Sequence, residues 1–374
     1  MSAGASDLLK AAAASSSRPA PDEEAIQQFD RRIMRDAISE VWSKETDRKK
    51  VARKLAQAEL NTTDVLTLPQ MEINNRLRDA GDKALSSAST TALQQAIHRC
   101  RLDVAIHGKT PIVFSAPHTI ELQRDGQPKH KVEDFTSPLA RLFADVTGGG
   151  HILWREEERE RVRALGGPCP TNRDPNFLSD AELGDSAWFT ALRCAREELA
   201  PSGRPCIHVD VHGMRNPPAY PVDCLVGTLA MRRQHGDART DALCDEVERV
   251  LRPVLQRIPI ARPAAAEGEG GGDSAADVVG ATAEFMDLQA GGAATPAPLL
   301  GGDWGVGSGR NTLTQLSTNR GLWTAHAAPS GGPQCFACAL QIELSMRLRR
   351  HLADNWEDRQ AFAEALGSLV SLAW

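Results

Sequence analysis

The 374-residue chain holds one tyrosine and only 5% aromatic residues, and it contains no run of about 18 apolar residues of the kind a membrane-spanning helix requires. A helical membrane protein is thereby excluded. The first residues lack the basic-then-apolar layout of a secretory signal, so the expected compartment is the cytoplasm; a tail poor in acids leaves a transit peptide as the alternative, against which Lys10 and Arg18 are the only cations before Asp22. Neither sign of charge dominates: 43 Lys and Arg stand against 49 Asp and Glu, a net charge of −6, which argues against a nucleic-acid partner. The 8 cysteines are too scattered for a disulfide scaffold. The single Cys-x-x-Cys, Cys335 to Cys338, lies in an apolar strand-like segment where a redox motif would open a helix, and it reads as ordinary buried thiols. No Gly-x-Ser-x-Gly elbow, Walker loop or dinucleotide glycine fingerprint follows a strand, which removes the common serine-hydrolase and nucleotide-binding classes.

What is present is the ordinary globular mixture, 41% hydrophobic and 25% charged, in a chain long enough for one large domain or two smaller ones. Residues 1–22, rich in Ala, Ser and Pro, read as a disordered tail because they carry too little apolar surface to offset ordering entropy. From 23 to 103 apolar residues recur at three- and four-residue spacing (Ile26, Phe29, Ile33, then KVARKLAQAEL and TALQQAIHRCRL), which predicts three or four helices and a surface for a protein partner. From 104 to 374 short apolar runs (PIVFSAPH, GGHILW, CIHVDVHG, DCLVGTL, CALQIEL) alternate with helical stretches, the pattern of an α/β domain with a mixed sheet. An Ala/Gly-rich segment at 262–303 reads as a flexible insertion within it.

Four elements of this domain carry chemistry. His118-Thr-Ile-Glu121 follows a buried-strand run that Pro117 ends, and a three-residue step in a helical turn would bring imidazole and carboxylate to one side, as two ligands of one tetrahedral zinc. A second match to the same spacing, His130-Lys-Val-Glu133, lies in a charged loop with no strand leading into it and reads as accidental. In Cys206-Ile-His-Val-Asp-Val-His-Gly213, strand alternation sets His208, Asp210 and His212 on one face. His212 at the strand's end would complete a His/Glu/His set with an open fourth position, and Asp210 could orient a ligand by accepting from its outer nitrogen. Glu343 in LQIEL is a carboxylate among apolar neighbours, a costly placement unless it is paired or used for proton transfer. The loop Thr171-Asn-Arg-Asp-Pro-Asn-Phe177 offers the Arg173 fork for a carboxylate. Each element also has a plain reading: rim histidines, a solvent-facing glutamate, a polar turn.

The order of these elements resembles the zinc-dependent N-formylglutamate amidohydrolase family, through Ser115-Ala-Pro-His118, Asp210-Val-His-Gly213, Pro329-Ser-Gly-Gly332 and Leu340-Gln-Ile-Glu343, over roughly residues 108–350. The resemblance implies a three-layer phosphorylase/hydrolase-like fold, related to zinc carboxypeptidases and aspartoacylases. It also implies one zinc ion per chain on His118, Glu121 and His212. Glu343 would be general base and acid, and Arg173 would be catalytic and substrate-anchoring, with Asn172 and Asn176 beside it. The implied reaction is hydrolysis of the amide of a small N-acylated, carboxylate-bearing compound. Two alternatives stand: a zinc carboxypeptidase or deglutamylase acting on acidic peptide tails, and a catalytically retired binding or scaffold protein.

Overall fold

Five of the apolar runs fold as strands of one sheet. The protein is described by a computed structural model covering residues 23–124, 129–168, 171–178, 186–201, 204–214, 223–261, 278–280, 283–286 and 335–372. In chain order the strands are β1 (Leu102–Ile106), β2 (Ile112–Ala116), β3 (Gly150–Trp154), β4 (Ile207–Met214), β5 (Cys224–Gly227), β6 (Pro259–Ala261), β7 (Val278–Gly280), β8 (Ala283–Met286) and β9 (Cys338–Ser345). Seven of them form a mixed sheet in the order β1-β3-β2-β4-β9-β5-β8, while β6 and β7 pair separately. β3, β2, β4 and β9 run parallel, with β1 antiparallel on one side and β5 antiparallel to β9 on the other.

Central parallel strands are covered on both faces, which is why β2 and β3 are buried throughout. One face packs Phe114, Val209, Val211, Leu340 and Ile342 against helices α6 (Thr136–Thr147), α9 (Leu229–His235), α10 (Asp237–Arg257), α11 (Met346–Asp354) and α12 (Trp356–Ser368). The other sets Val113, Ile152 and Trp154 against Trp188, Phe189 and Leu192 of α8 (Ala187–Leu199), which Ser186 caps by accepting from the Phe189 N–H. A helix–sheet–helix arrangement follows.

The N-terminal region has five helices where the periodicity predicts three or four: α1 (Glu23–Val41), α2 (Glu45–Gln57), α3 (Thr62–Thr67), α4 (Gln70–Asp79) and α5 (Ser87–Cys100). α3 is too short to show a periodic stripe and is fixed by a capping box between Asn61 and Asp64. The five helices share a separate core of Ile33, Ile38, Leu55, Ile73, Leu77, Leu93 and Ile97. The helical reading carried through Leu102 stops short, because α5 ends at Cys100 and β1 begins at Leu102, so a boundary at 103/104 would cut the edge strand. The apolar spacing Leu93, Ala96, Ile97, Cys100 runs on into Leu102 without a sequence break.

The two parts meet through buried charge. Arg161 on α7 (Glu156–Ala164) reaches Asp30 of α1 (Nε to Oδ1, 3.1 Å) and Glu158 (3.3 Å), and Glu158 accepts from Arg101 at 2.7 Å. The 262–303 segment is not wholly coil, for it contains β7 and β8, the latter extending the main sheet beside β5. Its remainder, the 1–22 tail and Pro329–Gly332 lie outside the described residues. Among the described residues no helix is long and apolar enough to cross a membrane.

Candidate metal centre

Parallel strands bring the two histidines together. β2 ends at Ala116, and Pro117–Thr119 makes a single 3₁₀ turn that carries His118. Trp154 on β3 pins that turn by donating from Nε1 to the Pro117 carbonyl at 2.7 Å. β4 is in register with β2 at Ser115 and Asp210 and continues to Met214, so His212 arrives beside His118. Both imidazoles are 2% exposed, and the rings meet edge to face with centroids 4.5 Å apart. Glu343 stands directly across from His212 on β9.

A hydrogen-bond chain sets the protonation of His212. Ser115 can donate only one proton, and it gives it to Asp210 Oδ1, so it accepts from His208 Nε2 at 2.8 Å. The other Asp210 oxygen takes the Nε2–H of His212 at 2.8 Å. Asp210 is fully buried; burial opposes its charge, but His212, His208 and Ser115 hold its carboxyl below the usual range. Burial likewise takes His208 down to about 4, so it stays neutral. His118 is arranged in the same way, with Nε2 3.1 Å from Asp174 Oδ1. Asp174 also accepts from Arg124 Nε at 2.6 Å and from the Asn176 N–H at 2.9 Å, and it is held well below the carboxylate range against its burial. With both outer nitrogens committed to carboxylates, the two Nδ1 lone pairs converge 3.0 Å apart. That contact is repulsive unless a proton or metal cation lies between them.

Glu133 completes the convergence. Its N–H donates to the His118 carbonyl at 2.8 Å, and Leu122 and His130 form an antiparallel bridge, so residues 129–133 fold back along 118–124. Its Oε1 lies 3.0 Å from His118 Nδ1, its Oε2 lies 3.5 Å from His212 Nδ1, and Oε2 accepts from the Gly213 N–H at 2.8 Å. His130 stacks on His118 with centroids 3.8 Å apart, donates from Nδ1 to the Lys131 carbonyl at 2.6 Å, and turns Nε2 toward Glu133 Oε1 at 3.3 Å. Burial, then the charge of His118, takes His130 down to about 3, so that Nε2 is a bare acceptor at neutral pH. His118, His130 and Glu133 offer donor atoms all within 4.8 Å of one another and can hold a metal ion.

The electrostatics favour a cation. Burial disfavours charge throughout, yet Asp174 and Glu133 carry His118 up to about 9, and Asp210 with Glu133 carries His212 well above its ordinary value. Glu133 is held well below the carboxylate range by the same two histidines. Donor separations of 3.0 to 3.5 Å fit the roughly 3.3 Å between ligands of a tetrahedral ion with bonds of about 2.0–2.1 Å. Glu343, 5% exposed and accepting from Gln341 Nε2 at 2.9 Å, is raised by burial to about 7, with Glu133 adding to the rise and His212 opposing it.

The expected site residues divide. His118, His212, Asp210 and Glu343 come together, and Asn176 reaches them, with its Nδ2 3.5 Å from His212 Nε2. Glu121 does not join: its Oε2 accepts from Lys129 Nζ at 2.6 Å. The chain leaves the 3₁₀ turn extended at Ile120 (φ −131°, ψ 164°), which buries Ile120 and Leu122 and turns Glu121 outward. The three-residue step needed a helical turn that ends one residue too soon. Asn172 is fully buried and donates to Glu158 Oε1 at 2.7 Å, a bond within the ionic network. Arg173 is half-buried, and its backbone bridges to Gln123. Sequence reasoning missed Asp174 and set Glu133 aside with the second His-x-x-Glu. A signal for Glu133 existed in the sequence: Asp-Gly is a dipeptide that favours hairpin turns, and His118 and Glu133 are equally spaced on either side of the one at 125–126.

No family model matches the chain, and no curated protein matches it. Among solved structures, the crystal structure of gene product Atu2144 from Agrobacterium tumefaciens aligns with a TM-score of 0.35 and 15% identity, over 72% of this chain and 93% of that one. A likeness of that size carries no argument about fold or function.

Proposed function

We propose that the protein is a zinc-dependent amidohydrolase, with one ion per chain, cleaving the amide of a small N-acylated, carboxylate-bearing substrate, as the resemblance to N-formylglutamate amidohydrolases implies. The observation that supports it most is the pair of imidazoles whose Nδ1 atoms face each other at 3.0 Å beside Glu133, each held from behind by an aspartate. Carboxylate-backed imidazoles are the usual support of a catalytic metal. His118, His212 and Glu133 are the proposed ligands, Glu133 taking the role that the resemblance implies for Glu121, with His130 behind them. The helix–sheet–helix layering suits a phosphorylase/hydrolase-like domain. A bound divalent ion polarises an amide carbonyl and acidifies water there.

The chain's own groups do the rest. Glu343, poised at about 7, takes a proton from the attacking water as its oxygen bonds to the acyl carbon. The C–N bond then breaks and the same proton passes to the leaving nitrogen, giving a carboxylic acid and an amine, and the acid's own proton then leaves it for the amine or for water. Asp210 and Asp174 keep both outer imidazole protons in place, so the inner nitrogens stay free for the ion. Arg173 is the proposed anchor for the substrate carboxylate, with Asn176 at the histidine pair. The test is amine release by metal-loaded protein from a panel of N-acyl amino acids, with peptides ending in glutamate as the competing class. The proposal expects turnover on the first class, and a kcat lowered by about 10²–10⁴ in Glu343→Gln. Turnover undiminished in Glu343→Gln, or confined to peptides, contradicts it.

A further inference from the structure

Behind the site lies a buried guanidinium that, among the described residues, is within ion-pair distance of no carboxylate and is spent on backbone. Arg349 of α11 is 3% exposed. It donates from Nε to the Leu344 carbonyl at 3.0 Å, from Nη2 to the Met214 carbonyl at 3.3 Å, and from Nη1 to the Asp134 carbonyl. Each acceptor belongs to a different segment, and each is one or two residues from a site side chain. Leu344 follows Glu343, Met214 is two beyond His212, and Asp134 follows Glu133. Gly213, whose N–H binds Glu133 Oε2, lies against the same guanidinium: a Cβ built there would sit 2.7 Å from Nη2 and closer still to Cζ and Nη1. A side chain at position 213 would force the guanidinium out of its present place.

We infer that Arg349 is a positioning residue: it ties together the three chain segments that bear Glu133, His212 and Glu343 and so sets the spacing on which the proposed metal centre depends. The inference rests on the functional reading above for its consequence, though not for its geometry. A planar fork with five donors can satisfy three carbonyls arriving from separate directions, whereas an ammonium on a flexible stem is a single point. Lysine is therefore expected not to rescue. A natural control sits on the same helix: Arg347 pairs with the Asp223 carboxylate at 2.5 and 3.0 Å and not with the carbonyls that Arg349 holds.

The experiment compares wild type, Arg349→Lys, Arg349→Met and Arg347→Met by melting temperature, by cobalt affinity in competition with a chelator, and by imidazole nitrogen NMR signals. Both Arg349 variants should bind cobalt at least tenfold more weakly and lose kcat more than they change KM. Arg347→Met should lose melting temperature and keep the wild-type cobalt constant. Unchanged cobalt affinity in Arg349→Met, or an equal loss in Arg347→Met, overturns the inference. If wild type takes up no metal, the functional reading fails and the imidazole signals decide alone. Displaced signals in Arg349→Met but not Arg347→Met support the positioning role, and identical spectra sink it. If Arg349→Met does not fold, Gly213→Ala, which crowds the guanidinium while keeping its charge, is read by the same criteria.

Discussion

Asp210 matters through the direction of two protons. Its Oδ1 is occupied by Ser115 and its Oδ2 by His212, so the imidazole keeps its proton on Nε2 and presents Nδ1 to the site. Asp210→Asn preserves the shape but sets an amide where one acceptor is needed, inviting His212 to take the other tautomer. The expected result is a 10- to 100-fold loss of metal affinity, measured by chelator competition, with the fold retained. Wild-type affinity in that variant would contradict the assignment. At this scale the sequence was informative wherever strand alternation governs: His208, Asp210 and His212 share a face because the period is two, and Glu343 lies level with them on the neighbouring strand. It was misleading where a local spacing was trusted. Glu121 leaves the site because Ile120 is extended, and Glu133 enters because a fold-back, not a helical turn, sets it against His118. Asp174 was passed over beside Arg173 because its role depends on two partners, His118 and Arg124, that are distant in sequence.

At the scale of elements, α7 joins the helical region to the site loop. Glu158 is fully buried and accepts from Arg101, Arg161 and Asn172, and Asn172 sits two residues before Asp174. Glu158→Ala would leave two buried guanidinium groups without their shared carboxylate, and a loss of about 3–5 kcal/mol in urea unfolding is expected. A loss below about 1 kcal/mol would show that the network is not held as described. α5 carries a second readable group. Burial, then the charge of Arg101, lowers His98 from 6.5 to about 4. The unfolded chain therefore binds the proton first: this stabilisation is complete above pH 6.5 and is lost as pH falls toward 4. The expected slope is at most about 1.4 kcal/mol per pH unit, and it should shrink in His98→Gln when urea midpoints are compared between pH 6.5 and 5. An unaltered slope would contradict it. The strands of the sheet's middle were legible because buried parallel strands are short apolar runs between turn residues. β1 was not, because its first residue continues the apolar spacing of α5 and nothing in the sequence marks the change from period 3.6 to period two.

Across the whole molecule, the site lies where β2, β4 and β9 deliver their carboxyl ends to one edge of a sheet covered on both faces, the place where open α/β sheets collect ligands. An ion that these groups bind only in the folded chain stabilises the native state, by about 2.7 kcal/mol at a hundredfold excess over its dissociation constant. The activity proposed for this site requires an ion held by Glu133 with the two histidines. The most direct measurement is metal content by plasma mass spectrometry on purified, zinc-exposed and desalted protein: wild type, His118→Ala, His212→Ala, Glu133→Gln and Glu121→Gln. About one zinc per chain is expected in wild type and in Glu121→Gln, and little or none in the other three. Zinc lost from Glu121→Gln and kept in Glu133→Gln, or no zinc in the wild type, would contradict it.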